Sequence, residues 1–236
     1  VSANGSFMNM QYVPSFGYPE QTELSDDEAR RRNGLDPKPR MKKIDDPAVR
    51  ESNYISQEAD WITFEETTCT AADQISIAPG YLEREWTESG RRCFQYKMDR
   101  PILNFYATLS ARYEVTRTEY NGVKLEIYHI PEHAFALESM LQASKDGLDY
   151  FGKNFSPYLY HQYRIIEFPR YAGFAQAFPN TIPYSEGIGF IYRKEEGDDK
   201  IDFAYFVTAH ELAHQWWGHQ VVGGNGQGST MFSEGL

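Results

Sequence analysis

The run His210-Glu211-Leu212-Ala213-His214-Gln215-Trp216-Trp217-Gly218 constrains this chain more than any other stretch. Two histidines four residues apart stand one above the other on a helix face, close enough to grip a single metal ion. The glutamate beside the first histidine points off that line, where it can take a proton from a metal-activated water as a general base. Phe203, Phe206, Val207, Ala213 and Trp217 share the stripe of the two histidines, while Tyr205, Ala209, Leu212 and Trp216 make the other side apolar. The pattern therefore predicts a helix buried all round. Two imidazoles and a carboxylate without partners inside such a helix would cost on the order of several kcal/mol, so a metal-binding helix is the stronger reading.

A catalytic zinc takes three protein ligands and keeps a fourth position open. The metzincin pattern is excluded, because Trp217 and Gln220 stand where it needs Gly and His. The acidic residue after the helix is Glu234, in Thr230-Met231-Phe232-Ser233-Glu234-Gly235-Leu236, and it is the expected third ligand of one Zn2+.

The histidine run and Ser233-Glu234-Gly235 together resemble the zinc helix and the Asn-Glu-Gly of the gluzincin M1 aminopeptidases. The resemblance implies a zinc metallopeptidase acting on the N-terminal residues of peptides, with His210, His214 and Glu234 on the metal and Glu211 as the catalytic base. Nineteen residues separate His214 from Glu234, one more than the family's usual eighteen, and the glycine-rich stretch from Gly223 to Gly228 is where a loop can absorb the extra one. A narrower similarity, to peptidase-like domains attached to bacterial ABC-type transporter permeases, implies membrane segments outside this chain and a domain outside the cytoplasm. The family's Gly-x-Met-Glu-Asn motif has its counterpart in Pro183-Tyr184-Ser185-Glu186-Gly187-Ile188-Gly189-Phe190. That segment keeps the glutamate and the later glycine but not the Gly-x-Met or the Asn. Glu186 is thus the expected substrate-binding anchor for a free α-ammonium group. Family members also use a tyrosine well beyond the third ligand, so a chain stopping two residues after Glu234 is expected to be a fragment. Two alternatives stay open: a zinc endopeptidase with no need of Glu186, and a non-enzymatic peptide-binding or sensor module of a transporter.

The chain is long enough, at 236 residues with 41% hydrophobic, to bury a sizeable core. A net charge of -11 argues against nucleic acid and anionic membrane surfaces as partners. No apolar run reaches the length of a membrane span. Cys69 and Cys93 fall in predicted strands; one bridge is possible, but two buried thiols are the expectation.

Residues 1–58 mix Gly, Pro and charge without a sustained period and read as an irregular arm with one short helix near 26–32. From 59 to 132 the period shifts towards two, with strands expected at 62–70, 74–78, 92–98, 103–117 and 123–130 and a hairpin at Asn121-Gly122. This antiparallel β domain is expected to support residues 133–236, read as the first half of a thermolysin-like zinc peptidase domain. There a helix over 133–151 should stop at Gly152, followed by strands at 163–168 and 188–192, an acidic loop at 195–199 and the metal helix. The fold class is α+β. His129, His133 and His161 are assigned surface or capping roles, His219 a possible part in shaping the pocket, and Glu167 and Tyr192 none.

Overall fold

The computed structural model of the chain describes residues 5–14, 22–55, 60–191, 193 and 201–235. In chain order its elements are β1 (Ser6–Asn9), α1 (Asp27–Arg32), β2 (Trp61–Ile62), β3 (Glu65–Ala71), β4 (Ile75–Ile77), β5 (Tyr81–Glu88), β6 (Arg91–Lys97), β7 (Ile102–Leu103), β8 (Ala107–Ala111), β9 (Glu114–Tyr120), β10 (Val123–His129), α2 (Leu137–Asn154), β11 (Gln162–Phe168), β12 (Thr181–Ser185), α3 (Phe203–Ala213) and α4 (Ser229–Glu234). This is a mixed α+β protein with several antiparallel sheets. It falls into two compact units, residues 1–10 with 60–222, and residues 11–59 with 223–236.

The first unit is organised on the sheet β12-β11-β10-β9. Asn121 and Gly122 both take positive φ, 50° and 78°, the backbone of a tight primed turn whose twist suits a hairpin, and they join β9 to β10. β10 then pairs in parallel with β11, and β11 with β12. Every residue of β11 is buried, so it reads as a continuous run and not as an alternation. Tyr163 and Ile165 meet Met140 of α2 and Leu212 of α3 on one face, while Ile166 and Phe168 meet Ile77 and Leu109 on the other. Pro183 sits in β12, at the sheet edge, where a missing N–H costs no ladder bond between central strands.

Two smaller antiparallel sheets, β1-β8-β4 and β3-β6-β5, and the pair β2-β7 complete the unit. β5 has no counterpart in the sequence reading. Nearly all its residues face outward, so no apolar alternation betrays it. Cys69 and Cys93 are direct partners across β3 and β6 and form a disulfide, which corrects the expectation of two thiols.

Three further expectations change. α2 begins at Leu137 and runs through Gly152 to Asn154. The strand expected at 188–192 is absent over its described residues; β12 ends at Ser185, and Glu186–Phe190 form a wide π-helical turn. Gly189 fits there because a Cβ would lie 2.2 Å from Cε1 of Tyr184, so only glycine lets the turn close on that ring. Tyr192 and the acidic loop lie outside the described residues. α3 is not buried all round either: Phe203 and Phe206 are 42% and 54% exposed. Its apolar residues circle the helix, yet only Ala204, Thr208, Glu211 and Leu212 are buried within it.

In the second unit α1 starts where the Asp26 carboxylate accepts a hydrogen bond from the Ala29 N–H, as an N-cap should. Arg30 ties the following turn by donating to the carbonyls of Leu24 and Asp36. A 3-10 turn, Pro47–Glu51, is capped by Asp46, and isolated bridges join Lys42 to Gly226 and Asn53 to Gly224.

Candidate metal centre

His210 lies in the last turn of α3, and His214 is its C-cap residue, still in the right-handed helical region. Helical geometry therefore holds across the pair. The two Nε2 atoms are 3.1 Å apart, with the rings crossing at 83°. Two nitrogens bound to one tetrahedral ion at ~2.0–2.1 Å stand roughly 3.3 Å apart, so the spacing fits. Nδ1 of His214 lies 3.1 Å from the Trp217 carbonyl and, donating to it, leaves the lone pair on Nε2. A second ring nitrogen committed to a backbone carbonyl is how a metal-binding imidazole is held in orientation and tautomer.

The rest of the unit fixes this helix end. Asp202 caps the start of α3 by accepting from the Tyr205 N–H, and also receives the Ser139 hydroxyl from α2. At the other end Trp216 Nε1 donates to the Ser156 carbonyl at 2.7 Å. The Gln215 amide accepts from Asn180 N and donates to the Phe178 carbonyl. His219 Nε2 lies 2.8 Å from the Ala177 carbonyl. Burial pushes His219 down to about 4; the Ala177 bond opposes this and the neighbouring His214 adds to it. The 177–180 segment thus holds the end of the histidine helix by three hydrogen bonds, two to Gln215 and one to His219.

Glu211 is buried, 5% exposed, beside Tyr163 and Tyr184, to which the sequence assigned no role. The Tyr163 hydroxyl is raised well above its ordinary value by burial first, then by the charge of Glu211 and by Tyr184. Tyr184 is raised by burial too, with Glu211 among the lesser causes. Nothing linear marks these phenols, because they reach α3 from β11 and β12.

The other expected site residues are placed as follows. Glu186 opens the turn after β12, and its Oε1 accepts from the Arg170 N–H at 3.1 Å while Oε2 lies 3.8 Å from His133 Nδ1. Glu234 ends α4 in the second unit and is exposed. Its charge helps raise the Tyr54 hydroxyl, after burial and against a hydrogen bond with Ser233. His129 is a buried residue and not a surface one: Nδ1 lies 3.0 Å from the Ile130 carbonyl and Nε2 3.2 Å from the Thr116 hydroxyl. His133 is not a surface or capping residue either, but is hydrogen-bonded to Glu167. His161 is exposed and stacks on Tyr81.

The last helix of this mixed α+β unit carries paired imidazole nitrogens, donor atoms that suit a divalent metal ion, beside a buried carboxylate. No family model matches the chain. It is similar to endoplasmic reticulum aminopeptidase 1 of Rattus norvegicus, 24% identical over 181 residues that make 76% of this chain and 18% of that protein. The Mus musculus counterpart is 23% identical over the same length. Endoplasmic reticulum aminopeptidase 2 of Homo sapiens is 35% identical over 104 residues, 43% of this chain and 11% of that protein. The chain is thus distantly similar to M1-family aminopeptidases and spans less than a fifth of their length.

Proposed function

We propose that this chain carries the metal-binding and general-base part of a zinc metallopeptidase, an aminopeptidase acting on peptides. The observation that carries the reading is the pair of Nε2 atoms 3.1 Å apart, one of them oriented through Nδ1 and the Trp217 carbonyl. His210 and His214 hold the ion in this proposal, and Glu234 is the third ligand on the strength of its spacing and the family resemblance. Zinc, when bound, polarises the peptide carbonyl and lowers the pKa of water. Glu211 takes the proton of the attacking water and passes it to the departing amine, which its place one residue after His210 allows. Residues 59–132 serve as the supporting β domain and 133–236 as the first half of a thermolysin-like domain.

Glu186 is the carboxylate proposed for the substrate ammonium. Its engagement by Arg170 N and its approach to His133 favour a second reading, a peptidase indifferent to a free N-terminus. A place outside the cytoplasm is supported by the Cys69–Cys93 bridge, which suits an oxidising compartment, while attachment to a transporter rests on the family resemblance alone. No helix among the described residues is long and apolar enough to cross a membrane.

Metal analysis of the purified chain and of a His210→Ala/His214→Ala variant tests the core of the proposal. Loss of one bound zinc per chain is expected, and equal zinc content in both would overturn it. Glu211→Gln should keep the zinc and lower kcat by about 10²–10⁴-fold, the range of general acid-base contributions. Zinc retained with unchanged kcat would remove Glu211 from its role. Free and N-acetylated peptides separate the aminopeptidase from the second reading.

A further inference from the structure

A second group of metal-ligating side chains is built from other elements. His133 precedes α2, Glu167 lies in β11, and Glu186 follows the adjacent parallel strand β12. One ligand atom from each lies within 4.8 Å of the other two. The Glu167 side chain is 1% exposed, and those of His133 and Glu186 are 21% and 16% exposed, so the group is sealed below and reachable by water from one side.

Both carboxylates are oriented in the same way. The Ile130 N–H donates to Glu167 Oε2 at 2.7 Å, and the Arg170 N–H to Glu186 Oε1 at 3.1 Å. Each main-chain bond takes one oxygen and turns the other towards the same imidazole nitrogen. Glu167 Oε1 is hydrogen-bonded to His133 Nδ1, and Glu186 Oε2 lies 3.8 Å from it. Carboxylates steered by fixed hydrogen bonds so that their remaining oxygens converge are the arrangement of ligands around an ion.

Charge points the same way. Two ionised carboxylates against one imidazole leave a net negative charge whether or not the ring is protonated. A divalent cation would cancel the excess and take the place of the hydrogen bond between His133 Nδ1 and Glu167.

We propose that His133, Glu167 and Glu186 form a second divalent-cation site, for an ion such as Zn2+ or Mn2+ that accepts imidazole nitrogen and carboxylate oxygen together. Water on the open side fills the remaining positions. The ion cross-links the ends of β11 and β12 to the segment before α2. The inference is independent of His210, His214 and Glu211; with Glu186 on the ion it goes with the second reading above, a peptidase indifferent to a free N-terminus.

Equilibrium dialysis against Zn2+, and separately Mn2+, with bound metal counted by mass spectrometry, tests it on the His210→Ala/His214→Ala chain. That variant should retain one ion per chain. Adding Glu167→Gln, or Glu186→Gln at the half-buried corner should the former fail to fold, should weaken binding at least tenfold with the circular dichroism unchanged. A folded His210→Ala/His214→Ala chain that binds neither metal would overturn the proposal, as would undiminished binding after Glu186→Gln. Failure of the aminopeptidase reading looks different: unsubstituted chain would then hold a single ion that survives loss of His210 and His214 and disappears with Glu186→Gln.

Discussion

At the scale of single residues, the fold places charged groups where burial must be offset by specific bonds. Arg164 is buried, and its guanidinium donates to the carbonyls of Ala78 and Gly80 and to the Thr181 hydroxyl, tying the turn before β5 to the central sheet. Glu66 in β3 shows the acidic counterpart. Burial raises its carboxyl above the ordinary 4.5, and the Thr108 hydroxyl, donating to it, offsets only part of this. The folded chain therefore binds this proton more tightly than the unfolded chain. As pH rises through 4.5 the unfolded state loses it first, and the folded state carries a growing penalty that is complete above its own raised pKa. Below 4.5 the penalty is absent. Glu66→Gln should accordingly raise the denaturation midpoint at pH 7 and leave it unchanged near pH 4, and a gain of equal size at both would refute the account.

At the scale of elements, spacing made some features legible and packing decided others. The i, i+4 histidines and the Asn-Gly turn are local devices, and both stand where the sequence puts them. The segment 186–190 has the apolar residues of a strand, but Gly187 and Gly189 let it close into a turn around Tyr184 instead. Gly189→Ala would press a methyl group onto the Tyr184 ring and the Met140 terminus, 2.2 Å and 2.9 Å away. Overpacking of this kind costs about 1–3 kcal/mol. Urea denaturation should show that loss, and an unchanged midpoint would mean the turn yields freely.

At the scale of the whole molecule, the Cys69–Cys93 bridge joins neighbouring strands of the first unit. Replacing both cysteines with serine should cost about 2–4 kcal/mol, read as a lower denaturant midpoint. Adding reductant should move the unsubstituted chain towards that midpoint and leave the double variant unmoved. Identical midpoints for all samples would show that the bridge contributes nothing. By itself the sequence determined the α+β class, the hairpin, the helix with paired histidines and the short helix near 26–32, because each depends on residues within a few positions of one another. Only the tertiary structure decided that Cys69 faces Cys93, that Tyr163 and Tyr184 border Glu211, and that His133, Glu167 and Glu186 converge. Periodicity reports which face of an element is apolar. Which elements meet is set by sheet register and core packing, whose partners lie tens of residues apart.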